Sequence, residues 1–337
     1  MLEPTQPVPP EFAQALRELG LAGSRELSGV PLTGGVSSDI WRIDTPQGSV
    51  CAKRALPKLR VAADWRAPIE RNLYEARWMQ VAEAAVPGCA PRVLGQHPAL
   101  GVLVMSYLPP ADHRLWKALL REGQADVTIA RSVGRTLVRI HAHSAAHAEL
   151  AAQFDTDKIF FDIRLAPYLL AAAEKHPDLA PTLQTLVAQA QAQKHALVHG
   201  DVSPKNILVG PRGPVLLDAE CAWWGDPAFD IAFCLNHLLL KCVWNASASP
   251  AFLACFSALA DAYLQGVTWE PGAAVEQRAA ALLPGLLLAR VDGKSPVEYI
   301  TTEAHRDTVR RVARALLQHP VHRLADVSDA WRKELER

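Results

Sequence analysis

The 337-residue chain has no net charge, because 35 Lys and Arg are matched by 35 Asp and Glu. No global field therefore draws it to nucleic acid or to an anionic membrane surface. It also lacks any apolar run of about 20 residues, the length needed to span a bilayer. The greasiest stretch, Ala279 to Ala289, is interrupted by Pro284 and Gly285 and closed by Arg290. The proline-rich start, Met1 to Pro10, has no basic segment followed by an apolar one, so no secretory signal is expected. The six cysteines form no C-x-x-C pair and read as reduced, mostly buried thiols in a cytoplasmic protein. No internal repeat is present.

What remains is an ordinary globular composition, 50% hydrophobic and 21% charged, long enough for two lobes around a substantial core. Glu11 to Leu19 has helical spacing and ends at Gly20. Leu32 to Ser38 contains the glycine-serine turn Gly34-Gly35-Val36-Ser37-Ser38. Ile40 to Ile43 and Ser49 to Lys53 flank Thr45-Pro46-Gln47-Gly48 and read as strand, turn, strand. Pro68 to Glu83 is helical in pattern, and Arg92 to Leu94 and Gly101 to Met105 read as strands. Pro109-Pro110 then marks a break. Beyond it the pattern is helical over 114–120, 127–143, 181–194, 229–240, 251–263, 273–288 and 304–317, with short strands at Leu197-Val198 and Val215 to Leu217. An α+β arrangement follows, with a strand-rich lobe over 1–108, a helical lobe over 109–337 and a cleft between.

The chemistry concentrates in two segments. His199-Gly200-Asp201-Val202-Ser203-Pro204-Lys205-Asn206 has the spacing H-x-D-x-x-x-x-N, and Asp218-Ala219-Glu220 follows an apolar strand. Phosphoryl transfer needs one carboxylate beside the attacking hydroxyl and further oxygen ligands for Mg²⁺. Asp201 is the candidate base; Asn206 and Asp218 are candidate metal ligands, with Glu220 as a further one. Lys53, in an apolar strand, needs an anionic partner to be desolvated. Glu75 is preferred for that role over Glu70 because it lies in the packed centre of its helix. The pair would aim Lys53 at the α- and β-phosphates, and Gly34, Gly35, Ser37 and Ser38 would cover them with backbone N–H groups and hydroxyls.

On these residues the chain resembles the aminoglycoside phosphotransferase and choline kinase-type superfamily, small-molecule relatives of protein kinases. Val198 to Asp201 with Asn206, Leu217 to Glu220, and Gly225-Asp226-Pro227-Ala228-Phe229-Asp230 carry the resemblance, which runs from about Leu32 to Leu240. Phe229-Asp230-Ile231-Ala232 and the segment around Arg290 loosely resemble methylthioribose kinase-like members more than choline kinase. The resemblance implies a bilobal protein-kinase-like fold with a small antiparallel-sheet N-lobe and a larger helical C-lobe. It implies ATP, with GTP as the alternative, and Mg²⁺. It also implies a hinge at Met105, Ser106, Tyr107 and Leu108 that binds the base, and support of the catalytic loop by His199 and Asp230. Ser203 departs from the family's frequent His, which would shift any γ-phosphate contact to Lys205. No activation loop with an Ala-Pro-Glu end follows, which argues against a protein substrate.

The expected activity is phosphorylation of an alcohol group on a sugar-like or amino-alcohol metabolite. A nucleotide-binding pseudokinase scaffold and an aminoglycoside-modifying kinase are the alternatives. Arg164, Arg290 and Lys294, near probable turns, are candidate acceptor-binding residues. No nucleic acid or membrane partner is expected, and the oligomeric state stays open. His141, His143 and His147 read as a polar helix end rather than a metal site, and Trp223 and Trp224 as packing beneath the loop.

Overall fold

A two-residue turn at Pro46-Gln47 folds β3 (Ser38–Thr45) and β4 (Gly48–Ala55) into a hairpin, with Thr45 Oγ1 donating to Gly48 O at 2.8 Å. The computed structural model describes residues 5–32, 38–58 and 68–337. The hairpin is the middle of a six-stranded antiparallel sheet ordered β1-β2-β3-β4-β6-β5. The other strands are β1 (Gln6–Pro7), β2 (Ser28–Pro31), β5 (Val93–His97) and β6 (Val102–Ser106). Helix α1 (Pro10–Glu18) packs Phe12 and Leu16 into a small core with Ile43, Val50, Ala52, Val102 and Val104. Helix α2 (Arg71–Ala85) turns Trp78, Met79 and Ala82 toward the larger core, which continues into the second lobe.

After β6 the chain enters the helical lobe. Strand β7 (Arg114–Leu115) and α3 (Trp116–Arg121) share the segment expected to be wholly helical, because Arg114 and Leu115 pair with a strand of the helical lobe. Helix α4 (Val127–Ala145) follows, its N-terminus capped by Asp126 accepting from Thr128 N at 2.7 Å. A helical run then comprises α5 (Asp157–Phe160), a π-helical stretch over Phe161–Leu170, and α6 (Ala171–Lys175). The segment around Arg164 is therefore helical, not a turn. Next come α7 (Ala180–Ala192), β8 (Ala196–Val198), the hairpin β9 (Ile207–Gly210) and β10 (Gly213–Leu216), and β11 (Trp223–Gly225). Strand β9 pairs with β7 as well as β10, and β8 with β11. The chain ends in α8 (Ala228–Trp244), α9 (Ser249–Leu264), α10 (Gly272–Asp292), α11 (Glu303–Gln318) and α12 (Leu324–Leu335).

Helix α8 is buried from Ala228 through Val243 and forms the axis of the lobe, between α9 and α10. Each fully buried Leu or Ile in this packing contributes about 1.5–3 kcal/mol. Helices α4 and α9 approach so closely that a Cβ at Gly134 would lie 2.5 Å from Leu259 O. This rigid block positions the short strands whose connecting loops carry the polar residues. Among the described residues, no helix is long and apolar enough to cross a membrane.

Candidate active site

Lys53 reaches the site from β4, whose register sets it opposite Ile40 and Leu103. Its ammonium lies 2.8 Å from Glu75 Oε2 and 3.0 Å from Oε1, touches Asp218 Oδ1, and stands 4.0 Å from Glu220 Oε2. Glu75 faces inward from α2, whereas Glu70 is exposed at the start of that helix. One turn before Glu75, Arg71 is fully buried and donates from Nε to Glu220 Oε2 at 2.9 Å. Burial alone would drive the Lys53 ammonium down, but Asp218, Glu75 and Glu220 together hold it well above its ordinary value. For Glu75 burial wins over the pull of Lys53 and pushes the carboxyl up to about 7. Asp218 is held low, since Lys53 and Lys205 outweigh its desolvation. Asp218 is also the one non-glycine residue with positive φ (66°) among the described residues, a conformation sustained by its surroundings.

The loop between β8 and β9 presents Asp201. Its Oδ2 lies 2.9 Å from Arg164 Nη2 and 3.2 Å from Lys205 Nζ. Desolvation would raise its carboxyl, but Arg164 and then Lys205 hold it below the usual carboxylate range. Asn206 donates from Nδ2 to Asp201 O at 3.1 Å, and its backbone carbonyl accepts from Leu217 N at 2.8 Å. The loop's other end is fixed by Asp230, in the first turn of α8, which accepts from His199 N at 2.7 Å and Gly200 N at 2.8 Å. Gly200 has φ 80°, and a Cβ there would lie 2.7 Å from Cys221 O, so both conformation and space require glycine. The His199 ring accepts from Asp201 N through Nδ1 and donates from Nε2 to Leu217 O, joining the loop to the segment before Asp218. Trp78 meets that ring edge-on at 4.7 Å.

The buried Asp201 on its loop, the Lys53–Glu75 pair of the sheet lobe and the Asn206–Asp218 pair thus stand together in one site. The family model described as "APH: Phosphotransferase enzyme family" matches residues 28–271. The chain belongs to this phosphotransferase enzyme family. It is 28% identical over 234 residues to the methylthioribose kinase of Cronobacter sakazakii, covering 60% of this chain and 57% of that protein. Methylthioribose kinase 2 of Oryza sativa subsp. japonica is 27% identical over 230 residues, 60% of this chain and 53% of its own length. The chain thus spans little more than half the length of these curated relatives. In fold it is similar to a Plasmodium vivax ethanolamine kinase, with TM-score 0.54, 12% identity and coverage of 88% and 83% of the two chains. An amicoumacin kinase solved with AMP-PNP and Ca²⁺ gives TM-score 0.54 at 12% identity, covering 89% and 91%. The sheet lobe and helical lobe are the bilobal kinase-like fold of the phosphotransferase family.

Within this family frame, the remaining candidates fall in distinct places. Gly34, Gly35 and Ser37 lie outside the described residues. Ser38 opens β3, buried, with no partner for its hydroxyl among the described residues. Met105 is buried near the end of β6; Ser106 donates its N–H to Arg92 O and accepts Arg92 N on its hydroxyl, and Tyr107 lies under the Arg42 guanidinium. Ser203 Oγ is buried without a partner among the described residues, and Lys205 is half-exposed. Arg164 spends its donors on Gly200 O, Ile163 O and Asp201, so it clamps the loop. Arg290 is buried at the end of α10, while Lys294 is exposed beyond it.

The residues suited to Mg²⁺ are Asp218 and Asn206. Asn206 has committed its amide nitrogen, leaving the carbonyl oxygen as the acceptor, and the Leu217 hydrogen bond holds it next to Asp218. One carboxylate and one neutral oxygen suit an ion that takes its other ligands from phosphate and water. Glu220, the further candidate, accepts from Arg71 Nε.

Three contributors escaped sequence reading. His141 is not a polar helix end: it is fully buried, with Nδ1 2.7 Å from Tyr263 Oη and Nε2 3.1 Å from Asp230 Oδ2. Its place one turn after Leu137, on the apolar face of α4, was the available signal. Arg71 carried a similar signal, four residues before Glu75. The Arg164 clamp had none, since it depends on a π-helical stretch. Trp223 stacks on Phe160 at 4.2 Å, packing beneath the loop.

Proposed function

We propose that this chain is an ATP- and Mg²⁺-dependent phosphotransferase that moves the γ-phosphoryl group onto an alcohol of a small metabolite, sugar-like or amino-alcohol in class. The observation that supports this best is the meeting of Lys53 from the sheet lobe with Asp218 from the helical lobe, beside the Asn206–Asp201 loop. The likeness of part of the chain to methylthioribose kinases favours a sugar-like acceptor over a protein.

In this reading Lys53, fixed by Glu75, exchanges its contact with Asp218 for the α- and β-phosphate oxygens. Asp218 and the Asn206 side-chain carbonyl oxygen would hold Mg²⁺, which when bound would supply charge neutralisation for the phosphates. Asp201 aligns the acceptor hydroxyl and takes its proton as the new O–P bond forms. The bond from γ-phosphorus to the bridging oxygen breaks, and ADP leaves with that electron pair. Lys205, beside Asp201, is placed to meet the transferring group where Ser203 carries no charge. Asp230, His199 and Arg164 hold the loop so that little reorganisation accompanies transfer.

Replacing Asp201 with Ala should abolish ADP release in the presence of acceptor while Mg-ATP still raises the melting temperature. Undiminished turnover in that variant would remove Asp201 from the reaction.

A further inference from the structure

Helix α8 is apolar all round and buried, yet one of its faces carries Asp230, His237 and Lys241. Spacings of seven and four residues put all three on a single stripe. Asp230 holds the catalytic loop. Further along the stripe His237 and Lys241 line a small cavity with Lys117, Pro204, Lys205, Arg290, Glu298 and Tyr299. Pro204 and Lys205 belong to the catalytic loop itself, so the cavity adjoins the place where an acceptor hydroxyl must sit.

The charges in this cavity do not balance. Lys117 is paired with Glu298, and Lys205 with Asp201. Lys241 is only 1% exposed and Arg290 only 7%, and among the described residues neither has a carboxylate within ion-pair distance. Lys241 has instead the Tyr299 and Trp244 rings, at 3.7 and 4.2 Å from Nζ. Arg290 uses Nη1 on Tyr168 Oη and Ser295, and its Nε has no partner. His237, 5% exposed, also leaves Nε2 unpartnered. Desolvating two cations without a counterion costs several kcal/mol, and unmade buried hydrogen bonds add to it. Such an arrangement is relieved by an anion that accepts from all three side chains.

We infer that this cavity binds an oxyanionic group, a carboxylate or a phosphate ester, on the acceptor molecule. The cavity is small and opens toward solvent, so it takes a terminal group while the rest of the acceptor reaches toward Asp201. Within the proposed kinase reading, on which this rests, the acceptor is then a hydroxy acid or a phosphorylated alcohol, not an amino alcohol or a polycation. Burial, reinforced by Lys117, pushes the Lys241 ammonium down to about 7 against the pull of Glu298. A bound oxyanion should bring it back up.

The test titrates the full chain, carrying Mg²⁺ and a non-hydrolysable ATP analogue, with glycerate, glycerol 3-phosphate, glycerol and ethanolamine. Isotope-labelled methyl groups on lysine report the Lys241 pKa by NMR, and calorimetry reports affinity. The oxyanions should raise that pKa and bind, with glycerate against glycerol 3-phosphate telling carboxylate from phosphate. Lys241→Met and Arg290→Met should each weaken oxyanion binding at least about tenfold. Should Arg290→Met fail to fold, Lys241→Met and the NMR titration decide alone. Unchanged oxyanion affinity in Lys241→Met, no response of Lys241 to either oxyanion, or tighter binding of glycerol or ethanolamine overturns the inference. Oxyanion binding at Lys241 without phosphoryl transfer to any acceptor would count against the kinase reading and leave the site standing.

Discussion

Asp230 Oδ2 accepts the backbone N–H of His199 at 2.7 Å across 31 positions of sequence, while its Oδ1 accepts that of Gly200. The same carboxylate is met from behind by His141, which Tyr263 holds in turn. One side chain thus fixes the entrance of the loop that carries Asp201.

Asp230→Ala should leave both N–H groups buried without an acceptor, at about 1–3 kcal/mol each. Urea unfolding should show the loss, and ADP release should fall while Mg-ATP binding persists. An unfolding midpoint and turnover equal to wild type would show that the loop does not depend on Asp230.

Lys53→Met should be destabilised in a pH-dependent way. It removes the cation shared by Glu75, Asp218 and Glu220, and breaking such a buried pair costs about 3–5 kcal/mol. Glu75, already pushed up to about 7, rises further without Lys53. Its folded value, already above the unfolded one in the wild type, moves further up. Stability from that group is therefore full below the ordinary carboxylate range and lost as pH rises through the folded value. Urea midpoints relative to wild type should be closer at about pH 5 than at about pH 8. The opposite ordering would contradict the assignment.

Arg164→Met should shift the acid limb of the pH–rate profile upward. Arg164 is the strongest of the neighbours that hold Asp201 low against its own burial, so losing it raises the pH at which Asp201 ionises. Turnover should fall at least about tenfold because the Gly200 carbonyl also loses its partner. A limb that stays in place would mean that Asp201 does not govern it.

Asp218→Asn should raise the Mg²⁺ concentration for half-maximal activity by at least about 10–100-fold. Asn206→Ala should act in the same direction. Chelation of divalent metal should stop turnover in wild type, and added Mg²⁺ should restore it. Equal Mg²⁺ dependence in all three proteins would place the metal elsewhere.

The loop that carries Asp201 and the Asp218 segment stood out in sequence as candidates because each is local, written within eight consecutive residues after a short strand. The helices were legible because long amphipathic segments such as α4 and α11 repeat their apolar spacing. The unread parts depend on long-range packing. Arg164 read as a candidate acceptor-binding residue and spends its donors on the loop; His141 read as part of a polar helix end and is core. Leu324–Leu335 was not read as a helix, although Trp331 anchors it fully buried. Arg114 and Leu115 became a strand because β9 offered a partner, which local propensity does not record.

Helix α8 also works as a measuring rod. At about 1.5 Å of rise per residue, Lys241 lies about 16 Å along the axis from Asp230. The fastening of the loop and Lys241 are marks on one rigid scale, packed on every side. Neither Asp230 nor Lys241 can slide without the other, so the helix itself sets the separation between the fastening of the loop and Lys241.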